Sequence, residues 1–290
     1  MNYLYIHFGE IPSYTKTSIN SVLSVDKSAK IYLISDSNPN FKNVKFLNSK
    51  EIKSSLTDKL IDLDIYGKTS YDYKINKLWL YSLLRVFYIS DFLESSNIKY
   101  TVHFDSDVML YIPFENIEYK FSKDSLNITE IGSDRLVFGY SYIPNQKIIK
   151  NICNEMFTFL SSDEYSENKI YKNRPLNEME ILSIINKRKD LFFNILPDLP
   201  YSTNSILFDP ASYGQYLGGT HQKPKKWYMG KKPILDHKVG QEISSKRITV
   251  RFKNNTPSVI HKNKEYQLVN LHVHSKKLEK YTPLNFKNYL

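Results

Sequence analysis

The chain has 290 residues, 41% of them hydrophobic and 14% aromatic, enough to bury a substantial core as one large domain or two small ones. Its single cysteine, Cys153, excludes an intramolecular disulfide framework, and no uninterrupted apolar run reaches the roughly 18 residues of a transmembrane span. The formal charge of +10 arises from 40 Lys and Arg against 30 Asp and Glu with only six arginines, a general lysine-rich usage and not a stripe built for nucleic acid.

The opening MNYLYIHFGEIPSY lacks the basic and long apolar regions of a secretory signal, so a cytoplasmic protein is expected. Within it, Asn2 to Phe8 is a short apolar-rich strand. A helix from Ser13 to Val25 is predicted to follow Pro12, with Ser13 as its cap. A second strand, Lys30 to Ile34, stops at Ser35-Asp36-Ser37-Asn38-Pro39. Such a βαβ start predicts parallel strands whose ligand crevice lies at their carboxyl ends, where His7, Phe8 and Asp36 fall. Neither the dinucleotide-binding Gly-x-Gly-x-x-Gly nor a P-loop follows the first strand.

From Lys74 to Glu94 apolar residues recur on almost every face, which predicts a buried helix carrying Lys77, Arg85 and Asp91. It leads into the strand Tyr100 to Phe104, which stops at Asp105-Ser106-Asp107 before Val108-Met109-Leu110-Tyr111 resumes. An Asp-x-Asp at the carboxyl end of a buried strand sets two hard oxygen ligands on a rigid scaffold. That suits a Mg²⁺ or Mn²⁺ ion with positions left for phosphate oxygens.

Further on, Leu126–Ile131 and Leu136–Ile143 read as strands, and Ile148–Leu160 and Leu176–Arg188 as helices. Asp198 to Gly219 reads as a long loop, and strands return at Ile248–Phe252 and Gln267–His274. In the last of these, alternation places His272 and His274 on one face as candidate metal ligands, with Lys276 close by to neutralise a diphosphate. Asn177-Glu178-Met179-Glu180 opens a helix with two carboxylates; Glu178 is the stronger general-base candidate, with Glu180 and Asp134 as competitors. If such an ion holds a nucleotide diphosphate, His7 and Phe8 are expected by position to flank its base, Asp36 to accept from base or ribose, and Lys77 and Arg85 to touch phosphate or brace the acidic motif. The glycine-, amide- and aromatic-rich stretch from Phe208 to His221 suits sugar recognition. No internal repeat or compositional break appears, which favours a single two-lobed domain over residues 1–290.

These residues resemble the metal-dependent glycosyltransferases of the GT-A fold, which use nucleotide sugars. The resemblance rests on the strand-helix-strand ending at Ser35-Asp36, the helix before the acidic strand, HFDSDVMLY at 103–111 and NLHVHSK at 270–276. It implies a Rossmann-like α/β fold with a mixed, mostly parallel sheet flanked by helices, in which 1–112 binds the nucleotide sugar and 113–290 the acceptor. It also implies that Asp107, with His272 or His274, holds the metal, and that Asp105 sits near the ribose or a metal-bound water. The implied activity is hexosyl transfer from a nucleotide diphosphate sugar to a glycan or lipid-linked acceptor; the chain's basic charge would serve the donor phosphates or peripheral contact at an anionic membrane surface. His221-Gln222-Lys223-Pro224 partly matches the His-Gly-Lys-Pro pattern of retaining members but lacks its glycine, which leaves the stereochemistry open. The competing readings are a sugar-phosphate nucleotidyltransferase, which calls for a glycine-rich loop where Gly9-Glu10-Ile11-Pro12 stands, and a basic polyanion-binding protein resting on 223–232 and 246–253.

Overall fold

A computed structural model describes residues 1–66, 77–188, 193–201, 205–219 and 233–290. The start of the 74–94 helix, the basic run 223–232 and the His221–Pro224 motif lie wholly or partly outside the described residues. The strands are β1 (Asn2–His7), β2 (Lys30–Ser35), β3 (Val44–Asn48), β4 (Thr101–Phe104), β5 (Val108–Leu110), β6 (Leu126–Gly132) and β7 (Arg135–Ile143). They continue as β8 (Phe193–Ile195), β9 (Ile206–Leu207), β10 (Thr249–Lys253), β11 (Thr256–His261), β12 (Lys264–Leu268) and β13 (Asn270–His272). The helices are α1 (Ser13–Val25), α2 (Ser49–Ile52), α3 (Ser55–Asp62), α4 (Leu78–Ser96) and α5 (Gln146–Leu160). After them come α6 (Asp163–Glu167), α7 (Lys169–Asn173), α8 (Glu178–Arg188), α9 (Ser212–Gly218) and α10 (Lys238–Ser244).

Among the described residues the central sheet has seven strands in the order β3-β2-β1-β4-β7-β6-β8. Pairing is parallel from β3 through β2 and β1 to β4, antiparallel through β7 to β6, and parallel again to β8. The architecture is therefore mixed α/β with a mostly parallel central sheet flanked by helices. Alternation along β1 divides the core. Leu4 and Ile6 face α4, α5 and α8, whereas Tyr3 and Tyr5 face α1 and the aromatic side chains Phe104, Tyr140 and Phe208.

The sequence explains α4 well. Leu83, Val86, Phe87, Ile89, Phe92 and Leu93 are at most 2% exposed, and the one buried acid, Asp91, is used by Ser54 N–H and the Thr57 hydroxyl at the start of α3. The helix stops at Asn97, whose φ of 53° is the left-handed value that ends helices. At α1 the expected Ser13 cap is replaced. Pro12 occupies the cap position without a side-chain bond, and its carbonyl accepts from Thr15 N–H. The strand expected from Gln267 to His274 is divided at Val269. β12 belongs to a four-stranded sheet ordered β10-β11-β12-β9, while β13 crosses to β5 as an antiparallel pair. The expected loop after Asp198 likewise contains β9 and α9.

Candidate metal centre and its cleft

β1, β2 and β4 deliver their carboxyl ends to one side of the sheet, as parallel strands must. Beyond β4 the chain turns tightly: Asp105 N–H donates to Gly139 O at 2.9 Å and Val108 N–H to Asp105 O at 3.1 Å. β13 pairs with β5 so that His272 lies opposite Val108, next to that turn. His272 Nε2 is thereby 3.1 Å from Asp107 Oδ1 and 3.7 Å from Asp105 Oδ2. Asp105, Asp107 and His272 each offer a ligand atom, and these atoms lie within 4.8 Å of one another.

The remaining carboxylate oxygens are already oriented by cations. Arg85 Nη1 donates to Asp105 Oδ1, and Lys276 Nζ to Asp107 Oδ2. This leaves Asp105 Oδ2, Asp107 Oδ1 and the imidazole nitrogen facing one another, a two-oxygen, one-nitrogen donor set that fits Mn²⁺ or Mg²⁺. Burial pushes the Asp107 carboxyl upward, but His272 and Lys276 outweigh it and hold the group well below the usual carboxylate range. Asp107 is thus charged at neutral pH. Gly139 makes room for the group, because a Cβ there would lie 2.8 Å from both Asp105 Oδ2 and His272 Cε1.

These three side chains line a cleft of about 470 Å³. Arg85 reaches it from α4 and bridges two acids, since its Nη2 also donates to Glu178 Oε1 at 3.1 Å. Glu178 is the first residue of α8 and is 4% exposed; its Oε2 is buried without a hydrogen-bond partner among the described residues. Burial raises its carboxyl pKa, with Arg85 opposing. Glu180 is occupied elsewhere. It accepts from Asn177 N–H at 3.1 Å while Asn177 Oδ1 accepts from Glu180 N–H at 3.0 Å, a reciprocal helix-start pair, and Arg174 binds its other oxygen.

Of the other residues singled out, His7 and Phe8 line the cleft beside Tyr14 and Tyr81. Phe8 packs on Tyr81 and Tyr88 with ring centroids 5.0 and 5.1 Å apart. Asp36 stands at the surface just outside and accepts from Gly9 N–H at 2.8 Å, fixing a turn whose φ of 90° suits glycine. His274 lines the cleft with its ring 4.4 Å from that of His272, but Gln215 Nε2 lies 3.1 Å from its Nδ1, and it is outside the ligand group. Two candidates are not brought to the cleft. Lys77 is exposed ahead of α4, and Asp134 sits in the β6–β7 turn, 64% exposed and 3.4 Å from Arg135 Nε.

The sequence reading missed His103, Gly139 and Asp209. His103 is fully buried behind Asp105, with Nδ1 3.0 Å from Leu4 O and Nε2 3.6 Å from Asp105 Oδ1. Burial and then Arg85 push its pKa well below the ordinary histidine value, so a neutral ring backs the carboxylate. Its place two residues before Asp105 on the same strand face was the available signal.

Neither a protein-family profile nor a curated protein sequence matches the chain. Solved structures do. Mouse xyloside xylosyltransferase 1 is 11% identical over 68% of this chain and 85% of its own, with a TM-score of 0.44. Galactosyltransferase LgtC, in complex with donor and acceptor sugar analogues, is 8% identical over 68% of this chain and 73% of its own, with a TM-score of 0.43. Glycosyltransferase GlyE of Streptococcus pneumoniae TIGR4 is 14% identical over 70% of this chain and 46% of its own, with a TM-score of 0.42.

Proposed function

We propose that the chain is a divalent-metal-dependent glycosyltransferase of the GT-A type that moves a sugar from a nucleotide diphosphate donor to a glycan or lipid-linked acceptor. The observation that carries this reading is the Asp105–Asp107–His272 group, where the carboxyl end of β4 meets β13, opening on a cleft that also holds Glu178. When bound, Mn²⁺ or Mg²⁺ supplies charge stabilisation to the departing diphosphate.

The chain's own residues do the rest. Lys276, with its ammonium 5.4 Å from the Tyr14 ring centroid, can leave Asp107 for a diphosphate oxygen once the carboxylate has another cation to face. Phe8 and Tyr81 offer ring faces to the nucleotide base. Where displacement is direct, the acceptor oxygen bonds to the anomeric carbon, the carbon–oxygen bond to the diphosphate breaks, and the acceptor proton goes to Glu178 Oε2. In this division residues 1–112 bind donor and 113–290 receive acceptor and close the metal site. The setting we propose is cytoplasmic, with peripheral contact at an anionic membrane; a single, fully buried Cys153 is consistent with a reducing compartment, and no helix among the described residues is long and apolar enough to cross a membrane.

Thermal melts with a panel of nucleoside diphosphates, with and without Mn²⁺, test the reading. A diphosphate present at about a hundred times its Kd adds about 2.7 kcal/mol to stability. The gain is expected only with metal, and Asp107→Asn is expected to abolish it. A metal-independent shift, or an undiminished one in Asp107→Asn, refutes the assignment.

A further inference from the structure

We propose that Asp209 is a positioning residue for the metal centre, its buried carboxylate fixing the backbone of His272 and so the direction of its imidazole. The inference rests on the metal reading above. β13 has only three residues and, among the described residues, pairs with β5 alone. Its other edge therefore needs an acceptor, and no strand supplies one. Asp209, just past β9 and 2% exposed, takes that role: its Oδ2 accepts from His272 N–H at 2.9 Å. On the opposite side Val273 N–H donates to Asp107 O at 2.8 Å. The peptide units on both sides of His272 are thus pinned, one by the turn that carries Asp107 and one by Asp209.

The same carboxylate reaches further. Oδ2 accepts from Gly214 N–H at 2.9 Å and Oδ1 from Tyr213 N–H at 2.8 Å, both in the first turn of α9. It therefore ties α9 to β13, and α9 carries the Gln215 that meets His274. The contact is close. A Cβ on Gly214 would lie 2.1 Å from His272 O. Asn270 holds Asp209 in turn, accepting from its N–H at 3.1 Å and donating to its carbonyl at 3.3 Å. Among the described residues the carboxylate has no ion-pair partner; its charge is met by three backbone N–H groups, which neither a hydroxyl nor an amide could satisfy as an acceptor alone.

Asp209→Asn keeps the shape but turns one acceptor into a donor facing N–H groups. Hydrogen exchange at the His272 amide is expected to quicken, while Mn²⁺ affinity, read by electron paramagnetic resonance titration, falls about 10- to 100-fold. Parent-like Mn²⁺ affinity in the folded variant overturns the proposal, even if exchange quickens or Tm drops, because a purely structural role moves those alone. If Asp209→Asn does not fold, Asn270→Ala, which leaves the carboxylate in place but frees its main chain, decides by the same readout. Asp107→Asn run in parallel separates the two readings: it is expected to abolish Mn²⁺ binding without quickening exchange at His272. Parent protein that binds no Mn²⁺ refutes the metal reading, and this proposal with it.

Discussion

At the scale of residues, one carboxylate sits at odds with its surroundings. Glu178 is buried, holds Arg85 by one oxygen and, among the described residues, leaves the other without a partner; burial favours its protonated form relative to a glutamate in water. The sign follows directly. A raised folded-state pKa contributes stability below the unfolded value of roughly 4.3 and loses it as the pH climbs through the folded value. At neutral pH the buried carboxyl thus works against the fold, which fits the base role proposed for it. Glu178→Gln is expected to melt no lower than the parent at pH 7, to keep metal-dependent nucleotide binding, and to lose transfer by roughly 10²- to 10⁴-fold. The acid limb of the parent's rate profile should lie above the range of an ordinary glutamate and vanish in the variant. A variant with near-normal transfer removes Glu178 from the chemistry and points to a route that needs no base.

At the scale of elements, α4 shows how a scaffold holds charge. Its apolar faces pack it into the core, and Arg85 leaves it at the point where two acids converge, one just past β4 and one at the start of α8. Both acids and the guanidinium are at most 18% exposed at the side chain. Removing the cation strands one buried and one half-buried carboxylate, a loss of about 3–5 kcal/mol. Arg85 also opposes the upward push of burial on Glu178. Arg85→Gln is therefore expected to lower Tm in metal-free protein and to move the acid limb of activity to higher pH; a limb that stays in place would show that the two groups do not communicate. The elements were unevenly legible. β1, β2 and β4 were readable because short apolar runs ended in polar turns, and α4 because no face was polar. β3, with sequence VKFLN, carries no such contrast. The split between β12 and β13 escaped because apolar residues continue across Val269, and the choice of a new partner strand is made by tertiary packing. The candidate ligands Asp105, Asp107 and His272, which the fold brings together, stood out as strand-end acids and an alternating histidine. Gly139 and Asp209 did not, since one acts through a missing side chain and the other through backbone bonds, and neither leaves a sequence pattern.

At the scale of the molecule, the centre joins segments far apart in the chain. Val269, Leu271 and Val273 are fully buried, so the last candidate ligand, His272, arrives with its own piece of core. A chain stopped before Asn270 loses His272, Lys276 and the partner of β5 together. It is expected to bind no nucleoside diphosphate in the presence of Mn²⁺, as read by calorimetric titration, and to expose an unpaired β5 edge. Retained metal-dependent binding in that fragment would move the third ligand elsewhere.

The pairing of β13 with β5 also has a meaning in time. During synthesis Asp105 and Asp107 leave the ribosome roughly 10 to 30 s before His272, at about 5–20 residues per second. Through that interval the nascent chain can form the parallel strands and the helix that bears Arg85, yet it lacks the imidazole and the Lys276 ammonium. On the proposed function the half-made protein is chemically silent, and sugar transfer begins only when a three-residue strand zips onto a segment made long before.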